Sequence, residues 1–191
     1  IPRRLRLNGN KIKMVWFSVD VETTGENPAL YSMIGIGACV VSEKGTEWMR
    51  NSGFLAYLKP ITPNYVPESL AVTKITWEQA LQFEDPQTVM ARFEEWVKSF
   101  GAERAFFISD NNGFDYQWVA FYLWKFLGRN IFGYSSTNLG SLYKGMVKNT
   151  HKNFKYLRDT PHTHDPLEDS LGNAEALIKM KKDMGLRITL E

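Results

Sequence analysis

Met14 to Gly25 reads MVWFSVDVETTG, and its alternation decides the first element: Val15, Phe17, Val19 and Val21 fall on one face, Trp16, Ser18, Asp20 and Glu22 on the other. A period of two is that of a β-strand, whose successive side chains point to opposite faces. The strand is expected over Met14 to Glu22, with a sharp turn at Thr23-Thr24-Gly25. Outward from it, MIGIGACVV at Met33 to Val41 reads as a second, more buried strand, and Trp48 to Leu58 holds a third around Phe54 to Leu58. The links are too short for helical crossovers, which predicts an antiparallel meander.

Pro60, Pro63 and Pro67 mark an irregular stretch. Beyond it, Val89, Phe93, Trp96, Val97 and Phe100 form one helical stripe over Pro86 to Phe100, with Gly101 as the stop. Next come a short strand at Arg104 to Ser109, a helix from about Phe114 to Leu127, a weaker strand near Ile131 to Tyr134 and a helix near Asn138 to Lys148. A polar loop then leads to a last helix from Pro166 to Met184, capped by Gly185. The order βββαβαβα implies one mixed α/β sheet with helices on its faces. No internal repeat or low-complexity tract interrupts it.

The 191 residues are 43% hydrophobic, with 23 Lys and Arg against 21 Asp and Glu. At this size one domain, here 14–191, buries roughly 70% of its unfolded surface without disulfides or structural metal. The single cysteine, Cys39, sits in an apolar run, reads as a small core hydrophobe and points to a reducing, cytoplasmic setting. No run approaches the ~18 to 20 apolar residues of a membrane span, so no membrane partner is expected. Ile1 to Lys13, IPRRLRLNGNKIK, is basic without an acid; removing it leaves 18 against 21, or −3. It reads as a processed or appended leader ahead of Met14, the alternative being an arm that grips phosphates. Without it, bulk charge gives no case for nucleic acid, and any such case must come from a site.

Three acidic sites stand out. In Asp20-Val21-Glu22 both carboxylates project from one strand face, about 7 Å apart at the backbone. With tips ~4 Å apart in an effective dielectric of 20, repulsion costs about 4 kcal/mol, so the pair needs water, a cationic partner or a divalent metal. The plain alternative is a solvated edge strand, which the flanking apolar residues argue against. In Asn111-Asn112-Gly113-Phe114-Asp115 a strand ends and a helix opens; Asp110 or an Asn can cap that helix, leaving Asp115 inside its first turn. In His164-Asp165-Pro166-Leu167-Glu168-Asp169, proline at the first helical position with Asp165 before it and Glu168 after it reads as a capping box. That accounts for two acids and leaves Asp169 one turn inside the helix, with His164 on the loop before the cap. His151 and His162 read as loop histidines with no task.

Taken in order, D-x-E-T-T-G on the first strand, N-x-x-F-D at a helix start and H-x-x-x-x-D near the C-terminus resemble the three motifs of the DEDDh 3'-to-5' exonucleases. This is the ribonuclease T and proofreading-subunit group with a ribonuclease H-like fold. The likeness runs from about Met14 to Gly185. Pro166 and Ser170 stand where alanine is frequent in the family, and Gly35 where many members carry Glu; none of these removes a matched ligand. The resemblance implies an α/β, ribonuclease H-like mixed sheet of about five strands with helices on both faces. It also implies that Asp20, Glu22, Asp115 and Asp169 hold two Mg2+ or Mn2+ ions, which four clustered carboxylates need and hard cations favour. His164 would be the general base, and nucleoside 5'-monophosphates would leave one at a time from a single-stranded 3' end. By analogy, Thr23 and Thr24 should meet the terminal nucleotide, and Tyr116 or Trp118 could stack on bases.

Two other readings share these residues: a catalytically silent nucleic-acid-binding module, and a ribonuclease H-type endonuclease, which has no usual need of a histidine five residues before its final Asp. A dinucleotide site fails, because Gly35-x-Gly37 lies inside a strand with no third glycine opening a helix. The small chain without a polymerase segment favours RNA over DNA ends. The sequence leaves open whether the chain works as a homodimer.

Overall fold

The computed structural model describes residues 12–190. The proposed leader at 1–13 thus lies, apart from Ile12 and Lys13, outside the described residues. Strands β1 (Met14–Thr23), β2 (Met33–Val40), β3 (Phe54–Tyr57), β4 (Arg104–Ser109) and β5 (Thr137–Asn138) form one sheet in the order β3-β2-β1-β4-β5. β2 runs antiparallel to both β1 and β3, as the short links require, while β4 joins β1 in parallel after a long crossover and β5 joins β4 in parallel. The helices are α1 (Thr46–Asn51), α2 (Pro67–Thr73), α3 (Trp77–Ala80), α4 (Pro86–Ser99), α5 (Asn112–Leu127), α6 (Leu139–Met146) and α7 (Pro166–Met184), with a 3-10 turn at Lys155–Leu157.

β1 is central, and both its faces are covered. Phe17 and Val19 pack with Phe93 of α4 and with Trp118 and Tyr122 of α5. The opposite face, which carries Ser18, Asp20 and Glu22, lies under α7, where Leu171, Ala174 and Leu177 join Cys39 and Ile108 in a second core. The Ser18 hydroxyl donates to the Ser170 carbonyl at 2.8 Å, fixing α7 over β1. The polar side of the alternation is therefore not a wet side. Cys39 belongs to this core, and burial pushes its thiol up to about 12, consistent with an inert small hydrophobe.

Gly37 allows this layering. A Cβ at Gly37 would stand 2.1 Å from the backbone of Pro166 and of Leu167, so any side chain there pushes the first turn of α7 away from β2. Asp169, one turn further on, would leave β1 with it.

Two local expectations are corrected. Ile131 to Tyr134 is not a strand: the Asn130 side chain accepts from the Phe132 N–H at 3.0 Å, and Gly133 takes a positive φ of 76°, closing a turn, so the partner of β4 is Thr137–Asn138. The proline-marked stretch is not wholly irregular either, because Pro67 opens α2 and Thr76 caps α3 in a reciprocal box with Gln79.

Candidate active site

Asp20 and Glu22 end the central strand where its pairing with β2 shifts register, between Glu22 and Thr23. The next strand over, β4, ends at Ser109, and the chain turns through Asp110 and Asn111 into α5, which carries Asp115, 4% exposed, in its first turn. From above, α7 lowers Asp169, 1% exposed, onto the same spot. One ligand oxygen from each of Asp20, Glu22 and Asp169 lies within 4.8 Å of the others, and the same holds for Asp20, Asp110 and Asp115. All four predicted acids therefore meet, and Asp20 belongs to both triads. Oxygen donors at this spacing suit hard divalent cations.

The electrostatics of the cluster are those of unneutralised like charges. Asp20 is held well above the usual carboxylate range by burial, then by Asp115, Glu22, Asp169 and Asp110. Glu22 rises to about 8 through burial and then Asp169 and Asp115. Asp115 rises to about 8 through burial and then Asp110. Among the described residues, Arg158 reaches Asp110 at 3.2 Å but makes no ion pair with the four acids.

Asp169 is clasped by the loop before α7. Its carboxylate accepts from the Thr163 N–H at 2.9 Å, from the His164 N–H at 3.0 Å and from Nδ1 of His162 at 2.8 Å. His162 is thus at the site, which corrects its reading as an idle loop histidine; a two-residue offset from His164 carries no sequence signal that would reveal this. His164 is exposed, takes a left-handed φ of 61° and meets the His162 ring edge-on at 4.4 Å. Burial, then His162, hold its imidazole below the ordinary histidine value. Asp165 caps α7 as expected, accepting from Leu167 and Glu168 N–H at 3.0 and 3.1 Å. The box is only half made, because Glu168 instead takes the Arg50 guanidinium at 2.8 and 2.9 Å.

The cleft over the acids measures about 370 Å3. Thr23 lines it. Thr24 does not: its hydroxyl donates to the Asn64 carbonyl, and its own N–H and carbonyl are used by Ser32 and Val66, so it is an internal tie rather than a substrate contact. Trp118 is wholly buried in the α5 core and offers no face to a base. Tyr116 points away as well, its hydroxyl donating to the Gly133 carbonyl at 2.5 Å. The neighbouring Phe114 lines the cleft instead, together with Val72 of α2, Asp110, His162 and His164. A larger cavity of about 630 Å3 opens beside β4, but among the described residues Glu103 is the only acid on its wall, so size does not select the site.

A family model of the RNase_T exonucleases matches residues 17–177. The chain belongs to this exonuclease family. A curated relative, the 3'-5' DNA exonuclease Cap18 of Escherichia coli, is 34% identical over 176 residues, 85% of this chain and 89% of that protein. The chain is accordingly an enzyme, a 3'-to-5' exonuclease of nucleic acid. Among solved structures, the nuclease domain of 3'hExo, a DEDDh family member, has a TM-score of 0.68 at 17% identity, covering 93% of this chain and 96% of that one. Cell-death related nuclease 4 also gives 0.68 at 17% identity, covering 90% of this chain, which spans only 64% of that protein. These likenesses show the ribonuclease H-like fold of the DEDDh exonucleases. No described helix is long and apolar enough to cross a membrane.

Proposed function

We propose that this enzyme removes nucleotides from the 3' end of single-stranded DNA, with Asp20, Glu22, Asp115 and Asp169 holding two Mg2+ or Mn2+ ions. The observation that carries the reading is the convergence of four carboxylates that, among the described residues, pair with no lysine or arginine. The choice of DNA follows the relative Cap18, a 3'-5' DNA exonuclease, and replaces the preference for RNA read from the sequence. When bound, the cations supply a Lewis acid that makes water acidic near neutral pH and neutralises charge on the leaving 3' oxygen.

The residues of the chain supply the rest. His164, held below its ordinary value, is largely neutral at pH 7 and can accept the proton of the attacking water at an imidazole nitrogen. His162 and the Thr163 and His164 backbone fix the Asp169 carboxylate, so the loop that carries the base also sets one ligand. Phe114 and Val72 offer apolar surface to the terminal base. Matched 5'-labelled DNA and RNA strands, digested with Mg2+, test the reading. A ladder shortening from the 3' end, faster on DNA and abolished by chelator, is expected. Cleavage of a circular single strand at a comparable rate would overturn it.

A further inference from the structure

The acidic cleft repels the polyanion it acts on, and a formal net charge of +2 does little to attract one. A strand must be gripped where positive charge is concentrated. Tyr116 to Arg158 contains no Asp or Glu, yet it holds Lys125, Arg129, Lys144, Lys148, Lys152, Lys155 and Arg158. Elsewhere among the described residues several cations are ion-paired, as in Arg50 with Glu168, Arg92 with Glu84, Lys179 with Asp159 and Lys181 with Glu43. Lys144, Lys148, Lys152 and Lys155 are all exposed, and among the described residues none makes an ion pair.

The backbone that carries them is held in place. The Asn149 side chain accepts from the His151 N–H at 2.9 Å and the Asn153 side chain from the Lys155 N–H at 3.1 Å. Favourable placement at a helix C-terminus accounts for Lys144 and Lys148 at the end of α6, but not for Lys152 and Lys155. Beside them opens a notch of about 470 Å3, walled by Tyr143 and Tyr156, whose hydroxyls lie 3.1 Å apart; Tyr156 is 67% exposed. Cations beside an exposed ring are the combination that holds single strands.

The strip is tied to the catalytic cleft at both ends. Arg158, three residues after Lys155, reaches Asp110 at the cleft rim and lies over the Phe154 ring. In the first turn of α6, a Cβ on Gly140 would meet the Asp110 carbonyl at 3.4 Å. A chain of three residues spans at most about 11 Å, so Lys155 stays within a few nucleotides of the acids.

We propose that Lys144, Lys148, Lys152 and Lys155 form a phosphate-binding track for the strand upstream of the 3' end being hydrolysed. The inference rests on the exonuclease reading above and adds where the rest of the strand lies. The test replaces all four lysines with Gln in the full chain. Binding of a fluorescent ~20-nucleotide single strand is titrated in chelator over a series of salt concentrations. Hydrolysis of that strand and of a dinucleotide is then compared with Mg2+. The plot of log affinity against log salt should flatten by roughly 0.7 for each phosphate the variant no longer neutralises, about 2 to 3 in total. The loss in kcat/KM should be at least about tenfold greater on the long strand than on the dinucleotide. Equal slopes, or equal losses on both substrates, overturn the track while leaving the exonuclease reading intact. A parent protein that degrades neither substrate overturns the exonuclease reading, and the salt slopes still decide the track.

Discussion

Glu94 and Glu175 are as buried as the acids of the cleft, and the protein treats them differently. Glu94, 2% exposed, receives the Arg129 guanidinium at 2.7 and 2.5 Å and Lys98 at 3.1 Å, and Arg129 holds it below the usual carboxylate range. Glu175, 4% exposed, accepts from the Thr46 and Thr160 hydroxyls and from the N–H groups of Asp159 and Thr160, all between 2.7 and 2.9 Å. Asp20, Glu22 and Asp115 face other carboxylates, and burial pushes all three up. Buried charge is tolerated when paired and hydrogen-bonded. Glu94 and Glu175 are surrounded with donors from the chain, and of the cleft acids Asp169 shares this through the loop before α7; on the metal-dependent reading proposed above, the positive charge that Asp20, Glu22 and Asp115 need comes from a bound cation.

The sharpest way to break this contrast is to neutralise one acid from each group. Asp20→Asn should abolish turnover while the protein remains folded. Glu94→Gln should keep turnover but lose about 1 to 3 kcal/mol through its weakened bonds to Arg129 and Lys98, lowering Tm by about 2 to 4 °C for each kcal/mol. Steady-state kinetics and thermal melting read both. Loss of turnover in Glu94→Gln at an unchanged Tm would erase the distinction.

The histidines come next in size. A positioned general base contributes about 10² to 10⁴ in rate, so His164→Ala should lose that much, with part regained at higher pH where hydroxide needs less help. His162 contacts Asp169, which makes it an orienting partner of a metal ligand on the reading proposed above, and removing such a partner costs about 10- to 100-fold in affinity or activity. His162→Ala should therefore raise the Mg2+ concentration needed for half-maximal rate, whereas His164→Ala should not. The reverse pattern would mean that the two imidazoles hold each other's roles.

That pair also marks the limit of what the sequence reveals. β4 and α7 match their expected bounds because alternation, a proline at the first helical position, an aspartate cap and a terminal glycine all agree there. The four acids were legible because strand alternation and helix starts fix where each side chain emerges. His162, Phe114 and Asp110 were not, since their place at the cleft depends on a loop that curls back by hydrogen bonds to Asp169 and on a turn set by Arg158. Trp118 misled for the opposite reason: its position on α5 faces the core, and composition cannot tell a stacking ring from a packed one.

A smaller effect is expected from pH in the metal-free protein. Glu22 and Asp115 titrate near 8 in the folded chain and near 4 when unfolded, so the folded state holds more protons between those values. Their favourable contribution is complete below about pH 4 and is lost as pH rises through about 8. Tm in chelator should fall between about pH 5 and 8, and Mg2+ should flatten the slope. Glu94, shifted the other way, gains its contribution as pH rises through the acid range and is constant in this window. His164, held below its ordinary value, opposes the trend but is one group against two. A Tm that rises with pH in chelator would show that the cleft acids are not mutually strained.

The smallest expected shift is also the one that reverses sign between the two kinds of buried acid. Replacing Asp20 by Asn keeps the side-chain shape and removes one charge from a cluster in which burial and four neighbouring carboxylates all disfavour ionisation. At pH 8 in chelator the substitution should stabilise the protein by about 1 kcal/mol, a gain of about 2 to 4 °C. The gain should shrink toward pH 5, where Glu22 and Asp115 already carry protons, and turn into a deficit with saturating Mg2+, since the parent then binds the cation and the variant binds it less. Glu94→Gln should destabilise under every one of these conditions, because its partners belong to the chain. If Asp20→Asn lowers Tm in chelator at pH 8, Asp20 is a structural carboxylate like Glu94, and the boundary between acids that hold the fold and acids that await a cation runs elsewhere in the molecule.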